Sequence, residues 1–167
     1  WTTRYITRDV DDTLDEIEHY VERFNVGLLQ FYDLTAITLK KWIVDFCTKY
    51  MERGLNVSWT LPSGTRSEVL DDETLGLLAQ TNCTYLCYAP ESGCEETLRI
   101  IKKQVTLSRI TKSMRTAKRK GISVRANLII GFPHETRKQI WESVLYGLKL
   151  ISLGIDESTL HLFSPYP

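Results

Sequence analysis

The chain has 167 residues, of which 43% are hydrophobic and 25% charged, a composition typical of one globular domain with a sizeable core. Its 21 basic residues balance its 21 acidic residues, and this zero net charge argues against nucleic acid or an anionic membrane as the main partner. No apolar run approaches the roughly 20 residues that span a bilayer, and no secretory signal is recognisable, so we expect a cytoplasmic protein.

Short apolar runs and helical periodicities alternate along the chain and predict six helices and five strands, beginning with a helix. The predicted strands cover residues 28–33, 57–61, 84–89, 122–130 and 158–163. No linker, internal repeat or low-complexity segment interrupts this order, so residues 1–167 are predicted to form a single domain. Because the sequence starts without Met and stops abruptly after Pro167, we expect it to be a piece of a longer protein.

Hydroxyl and carboxylate side chains at the right spacing predict where several helices begin. Thr13 with Glu16, and Thr136 with Gln139, match the capping box. Thr38 is the predicted cap of the second helix, and Asp71 and Asp72 are predicted to begin the third. On the last helix, apolar residues at helical spacing predict the buried face. Its members are Ile140, Val144, Leu148 and Ile151.

Strands that alternate with helices are expected to be parallel and joined by right-handed crossovers. Two α/β arrangements fit this order: an open doubly wound sheet, and an arc of a β/α barrel. A chain that starts with a helix and ends with a strand looks like a barrel whose first strand is missing.

Four cysteines occur in the chain, and their spacing is not that of a usual zinc or iron–sulfur site. Cys83, Cys87 and Cys94 are separated by three and six residues, and Cys47 lies far from them on a helix pattern. Small buried thiols in a cytosolic protein are the favoured interpretation.

Polar residues, glycines and one phenylalanine cluster where the predicted strands end, and in a barrel these ends share one face. They are Asp33, Ser63, Gly64, Arg66, Glu91, Ser92, Gly93, Asn127, Gly131, Phe132 and Ser164. Carboxylates accept hydrogen bonds from an ammonium or a ribose, and an arginine grips a carboxylate, so the set suits a zwitterionic ligand that carries hydroxyls. Neither a dinucleotide fingerprint nor a phosphate-binding loop is present.

Each of these residues also has a structural interpretation, and two other classes of function stay open. Asp33 could cap a local turn, Arg66 could pair with Glu68 or Asp71, and Glu91 could bond its own loop. An ordinary barrel enzyme could use Asp33 and Glu91 as acid and base on a polar metabolite. A non-catalytic nucleoside-binding or scaffold domain would keep the fold without the chemistry.

Five motifs in this order resemble the radical S-adenosylmethionine (radical SAM) superfamily, in particular the branch often joined to an N-terminal cobalamin-binding domain. The motifs are Phe31-Tyr32-Asp33, Ser63-Gly64-Thr65-Arg66, Glu91-Ser92-Gly93, Leu128-Ile129-Ile130-Gly131-Phe132-Pro133-His134-Glu135-Thr136 and Ser164-Pro165-Tyr166-Pro167. The resemblance implies a partial TIM-like (β/α)6 barrel that contains strands two to six and lacks the first.

The resemblance also implies roles in binding S-adenosylmethionine. Asp33 would hold the methionine ammonium, Arg66 its carboxylate, and Glu91 the amino or ribose groups, while Asn127 stands where relatives have a ribose-binding Asp. The residues implied to line the adenine are Gly131, Phe132 and Ser164. Ser63 and Ser92 belong to the same implied cofactor-binding set, and no catalytic or metal-binding residue is assigned within the chain.

Further implications concern the whole protein. Its cofactors would be S-adenosylmethionine, a 4Fe-4S cluster with ligands outside this chain, and cobalamin in an upstream domain. A flavodoxin- or ferredoxin-type reductant would drive cleavage to a 5′-deoxyadenosyl radical that acts on a small-molecule substrate, with methyl transfer the favoured outcome. The C-x3-C-x2-C cluster loop of the superfamily is absent from this sequence. In the motif that ends with Glu135-Thr136, His134 stands where relatives usually have a glycine. Because this loop is absent, we expect the chain alone to be inactive. Because a barrel without its first strand exposes a sheet edge, we also expect the chain to self-associate through the edge beside residues 28–33.

Overall fold

The computed structural model describes residues 6–32, 37–65 and 69–165, in which six helices alternate with five strands. In chain order they are α1 Val10–Phe24, β1 Leu28–Gln30, α2 Lys40–Glu52, β2 Ser58–Thr65, α3 Asp72–Gln80, β3 Cys83–Glu91, α4 Glu95–Ile100, α5 Leu107–Arg119, β4 Ser123–Ile130, α6 Arg137–Ser152 and β5 Glu157–Leu162. Within the described residues, the predicted order of elements is confirmed.

The strands form one sheet in the order β1-β2-β3-β4-β5, and every neighbouring pair is parallel. A doubly wound sheet would reverse its strand order at a switch point, and this sheet does not. Because each connection advances in the same direction, right-handed crossovers place the helices on one face. The sheet is therefore an arc of a β/α barrel, and the doubly wound alternative is excluded.

The two faces of the sheet differ in burial, as β4 illustrates. Val124, Ala126 and Leu128 have no exposed surface and belong to the hydrophobic core beneath the helices. Arg125 and Asn127 alternate with them and lie on the opposite, inner face, where they are half-buried. The strand is thus fully buried on one face only, and its inner face is available to the site.

Two predicted helix starts are wrong. The cap of α1 is Asp9, whose carboxylate accepts from the backbone N–H groups of Asp11 and Asp12, while the hydroxyl of Thr13 donates to the Asp9 carbonyl from inside the helix. Leu39 precedes α2 without a side-chain cap. A hydroxyl in the first turn of a helix can donate to the backbone carbonyl four residues earlier instead of capping the helix. Sequence spacing alone does not distinguish these two roles.

The other predicted starts are confirmed. Asp71 accepts from the Thr74 N–H at the start of α3, with an Oδ1–N distance of 2.9 Å. Thr136 and Gln139 form the complete capping box of α6, since each side chain bonds the backbone of the other. This box fixes where the loop after β4 ends and α6 begins.

The predicted buried face of α6 is wrong, since Leu148 and Ile151 are exposed. Small residues decide the packing: a Cβ on Gly147 would lie 2.9 Å from Ser158 Oγ. The absence of a side chain on Gly147 thus allows α6 to approach β5 closely. The buried residues of α6 are Gln139, Ser143, Tyr146, Gly147 and Leu150.

Strands β2 and β3 run further than predicted, through Thr65 and Glu91. The register of each shifts near its end, between Leu61 and Thr65 in β2 and between Tyr88 and Glu91 in β3. Such irregularities bend a strand and redirect its side chains, and they are frequent beside active sites. The ends of β2 and β3 are therefore irregular at the face where the site was predicted.

Candidate functional site

The predicted site residues that the structure describes follow the carboxyl ends of β2 to β5, or lie within the strands near those ends. Asp33 and Arg66, predicted to hold the methionine ammonium and carboxylate, lie outside the described residues. Ser63 lies exposed near the end of β2, and Ser164 lies exposed just beyond β5. Their place at strand ends agrees with the prediction, and their contacts with a ligand stay predictions.

Glu135 organises the loop between β4 and α6. One oxygen of its carboxylate accepts from the backbone N–H of Gly131 at 2.7 Å and of Phe132 at 3.0 Å. The Glu135 N–H donates in return to the Phe132 carbonyl at 2.9 Å. Gly131 has φ +86°, a left-handed conformation that side chains disfavour. Sequence reasoning assigned Glu135 no role, although it lies within the quoted motif.

This loop holds a small aromatic surface. The Phe132 ring lies 5.0 Å from the ring of Phe163, just after β5, and stacks on His134 with centroids 5.8 Å apart. The Phe163 N–H donates to the Ile130 carbonyl, which continues the pairing of β4 and β5 and holds the Phe163 backbone beside the loop. Such a surface suits the face of a flat aromatic ligand. Phe163 was missed because it was predicted only as a strand residue.

Asn127 offers an unsatisfied acceptor on the inner face of β4. Its amide nitrogen donates to the sulfur of Cys87, on the neighbouring strand β3, at 3.2 Å. Its amide oxygen is buried and has no hydrogen-bond partner among the described residues. A buried acceptor without a partner is costly in a folded protein, so it is a candidate contact for a ligand donor.

Glu91 ends β3 in an unusual conformation. Its φ is +70°, a left-handed value that non-glycine residues rarely adopt, and it follows the register shift of β3. Its carboxylate is paired with Lys103 at 2.9 Å, and the side chain stays about a quarter exposed. Strain of this kind is typical of functional sites, and the pairing keeps the carboxylate at the strand end.

Ser92 and Gly93 serve the turn after β3. The Ser92 side chain is buried; its hydroxyl lies 3.0 Å from that of Ser143 on α6 and accepts from the Cys94 N–H at 3.0 Å. The Gly93 N–H donates to Ser143 Oγ. The Ser92 side chain thus faces α6, so a cofactor contact from this residue, which stays a prediction, would have to come from its backbone.

The four cysteines are free and buried, as predicted. Burial raises the pKa of Cys47 to about 12 and also raises the pKa values of Cys83 and Cys87, so these thiols are protonated at neutral pH. Thiolates are the ligands of iron–sulfur clusters. Across residues 6–32, 37–65 and 69–165, no group of three or more His, Cys, Asp or Glu side chains is placed to hold a metal ion.

Residues 1–146 match the sequence profile of the radical SAM superfamily. The chain belongs to this superfamily. An uncharacterized methyltransferase of Pyrococcus horikoshii is 26% identical over 164 residues, which are 98% of this chain and 35% of that protein. The anaerobic magnesium-protoporphyrin IX monomethyl ester cyclase of Rubrivivax gelatinosus is 24% identical over 98% of this chain and 29% of its own.

A solved radical SAM structure supports the fold. The methyltransferase TsrM of Kitasatospora setae, with cobalamin and a 4Fe-4S cluster bound, matches 96% of this chain and 32% of its own with a TM-score of 0.77 and 18% identity. This radical SAM chain thus spans about a third of the length of the curated relatives. Among the described residues, no helix is both long and apolar enough to cross a membrane.

Proposed function

We propose that this chain forms the S-adenosylmethionine-binding arc of a radical SAM enzyme in the cobalamin-associated branch. Membership of the superfamily supports the cofactor. Relatives named as methyltransferases, and a cobalamin-bound structure with the same fold, support the branch. In the whole protein, the cofactor and a reduced cluster would together supply reductive cleavage to a 5′-deoxyadenosyl radical.

Two observations carry the proposal. The inner face of β4 bears a buried acceptor, Asn127 Oδ1, that has no partner among the described residues, and the aromatic surface of Phe132 and Phe163 lies beyond the end of the same strand. A nucleoside presents complementary groups: hydroxyl donors on its ribose and a flat apolar base. Glu91 adds a carboxylate at the end of the adjacent strand. The described residues therefore fit the nucleoside half of S-adenosylmethionine.

The methionine half and the cluster depend on other parts of the protein. We propose, from their sequence motifs, that Asp33 binds the methionine ammonium and Arg66 the methionine carboxylate. The residues of this chain do not fit the cluster, because its described thiols are buried, mostly with raised pKa values, and do not converge. Cluster ligands from outside this chain are thus part of the proposal, and the chain alone should not cleave the cofactor.

We propose methyl transfer to a small-molecule substrate as the reaction of the whole protein, supported by two relatives named as methyltransferases. A relative named as a cyclase makes ring formation the second candidate. A flavodoxin- or ferredoxin-type protein is the proposed reductant. Self-association of the isolated chain through the edge of β1 is a further proposal, because β1 pairs only with β2 among the described residues and an open strand edge offers unpaired backbone groups.

Replacing Asn127 with alanine tests the cofactor site. Loss of the acceptor is expected to weaken S-adenosylmethionine binding by roughly 5- to 20-fold, the range for one buried hydrogen bond. Isothermal titration of the full-length protein measures it. Asn56→Ala is the matched control, because Asn56 is exposed and bonds only Asn82 among the described residues. Equal affinity in the wild type and Asn127→Ala would contradict the assignment of this site.

A further inference from the structure

We propose that Cys87 is a positioning residue that orients the Asn127 amide, so that its oxygen rather than its nitrogen faces the ligand. The proposal rests on the cofactor site described above, which it deepens. It assigns to a buried thiol a role in selecting ligands that carry a hydrogen-bond donor. The thiol itself touches neither the ligand nor the reacting atoms.

The two side chains meet across neighbouring strands. Cys87 pairs in register with Arg125, and Asn127 is two residues further along β4, so both side chains lie on the inner face. The Asn127 Nδ2 atom lies 3.2 Å from Cys87 Sγ. Cys87 has no exposed surface, so water does not compete for this contact.

The thiol is directed so that its sulfur accepts. Cys87 Sγ lies 3.9 Å from the carbonyl oxygen of Tyr88, to which the S–H group donates weakly. The sulfur lone pairs are then left for the Asn127 amide N–H. Burial also raises the pKa of the thiol, so that its hydrogen is retained at neutral pH.

Fixing the orientation of the Asn127 amide makes the site prefer ligands that carry a hydrogen-bond donor. With its nitrogen held by sulfur, Asn127 presents to a ligand its buried oxygen, which has no partner in the part of the chain that the structure describes. Such an acceptor favours a hydroxyl or amine donor, and a ligand that lacks the donor leaves the oxygen unsatisfied. An amide free to rotate would present its N–H groups as readily. Cys87 thus contributes to selectivity for a ribose hydroxyl over a deoxyribose.

The test compares variants of the full-length protein in equilibrium binding of S-adenosylhomocysteine, which carries the same nucleoside. Cys87→Ala is expected to weaken binding about 5-fold, and Cys87→Ser, which keeps an acceptor, should stay within about 2-fold. Adding Cys87→Ala to Asn127→Ala should cost nothing further, because the thiol acts through the amide. Adenosine should also lose its advantage over 2′-deoxyadenosine or 3′-deoxyadenosine in Cys87→Ala.

Cys83→Ala is the matched control, since Cys83 is a buried thiol on the same strand that contributes to the hydrophobic core. The Cys83→Ala substitution should leave the affinity for S-adenosylhomocysteine unchanged. Full affinity in Cys87→Ala, or additive losses in the double variant, would overturn the proposal. Failure of the wild type to bind S-adenosylhomocysteine would instead overturn the cofactor site itself.

A second measurement distinguishes failure of the positioning role of Cys87 from failure of the cofactor site. In protein labelled with 15N-asparagine, the Asn127 side-chain amide signals are expected to shift and to exchange faster with water in Cys87→Ala, but not in Cys83→Ala. Unchanged signals in Cys87→Ala would overturn the positioning role whatever the ligand, since the amide would then not depend on the thiol.

Discussion

Replacing Gly93 with alanine is expected to destabilise the full-length protein by about 3 kcal/mol, the upper range for overpacking a closely packed interior. An added Cβ would lie 2.5 Å from Tyr146 Cβ, 2.8 Å from Ser143 Cα and 2.9 Å from the Glu142 carbonyl oxygen. Two of these atoms belong to the backbone of α6 and cannot rotate away. Thermal unfolding should show a midpoint lowered by roughly 6–12 °C for a domain of this size.

Gly27→Ala provides the control for this prediction. A Cβ on Gly27 would meet no atom of the described structure within 4 Å, so its effect should stay within about 0.5 kcal/mol. Equal unfolding midpoints for Gly93→Ala and the wild type would show that α6 does not approach the turn after β3 as closely as described. The turn also carries Ser92 and follows Glu91, so Gly93→Ala should weaken cofactor binding as well.

Replacing Glu135 with alanine is expected to weaken S-adenosylmethionine binding by roughly 10- to 100-fold. The carboxylate accepts from two backbone N–H groups that shape the loop bearing Phe132, and hydrogen bonds to a charged group contribute about 1.5–3 kcal/mol. Glu135→Gln keeps an acceptor oxygen without the charge and should lose less. Equilibrium binding to the full-length protein gives both values.

Glu142→Ala is the control for a lost carboxylate on the same part of the chain. Among the described residues, the Glu142 carboxylate makes only a long, 4.0 Å contact with Lys138 within helix α6, and exposed pairs of this kind contribute little. The affinity of Glu142→Ala for S-adenosylmethionine should equal that of the wild type. Unaltered binding in Glu135→Ala would mean that the loop keeps its shape without the carboxylate, and that Phe132 does not depend on it.

The sequence was sufficient to predict the order of elements, because helical and strand periodicities alternate clearly. Periodicity left open whether the strands form a barrel arc or a doubly wound sheet, and the resemblance to the radical SAM superfamily predicted the arc. That choice depends on strand order in space, which the structure decides. The Thr136 and Gln139 capping box was predictable because it is a purely local pattern.

Other features depend on contacts distant in sequence, which periodicity does not reveal. The buried face of α6 is set by close approach at Gly147 to Ser158, not by its apolar residues. The hydrogen bond between Asn127 and Cys87 joins residues on two strands 40 positions apart. The contact between the hydroxyls of Ser92 and Ser143, 51 residues apart, is another that the sequence did not predict. The motifs predicted a candidate site, but not the contacts among its side chains.

The most direct test of the account is a combined assay on the full-length protein purified without oxygen. Iron, acid-labile sulfide and reductant-dependent release of 5′-deoxyadenosine from S-adenosylmethionine are measured together. The account predicts about four irons and four sulfides per chain for one cluster, with nucleoside release at limiting cofactor that falls in the Asn127→Ala and Glu135→Ala variants in proportion to their weaker binding. Absence of both iron and nucleoside release would contradict it and favour a binding domain that keeps the barrel arc without the radical chemistry.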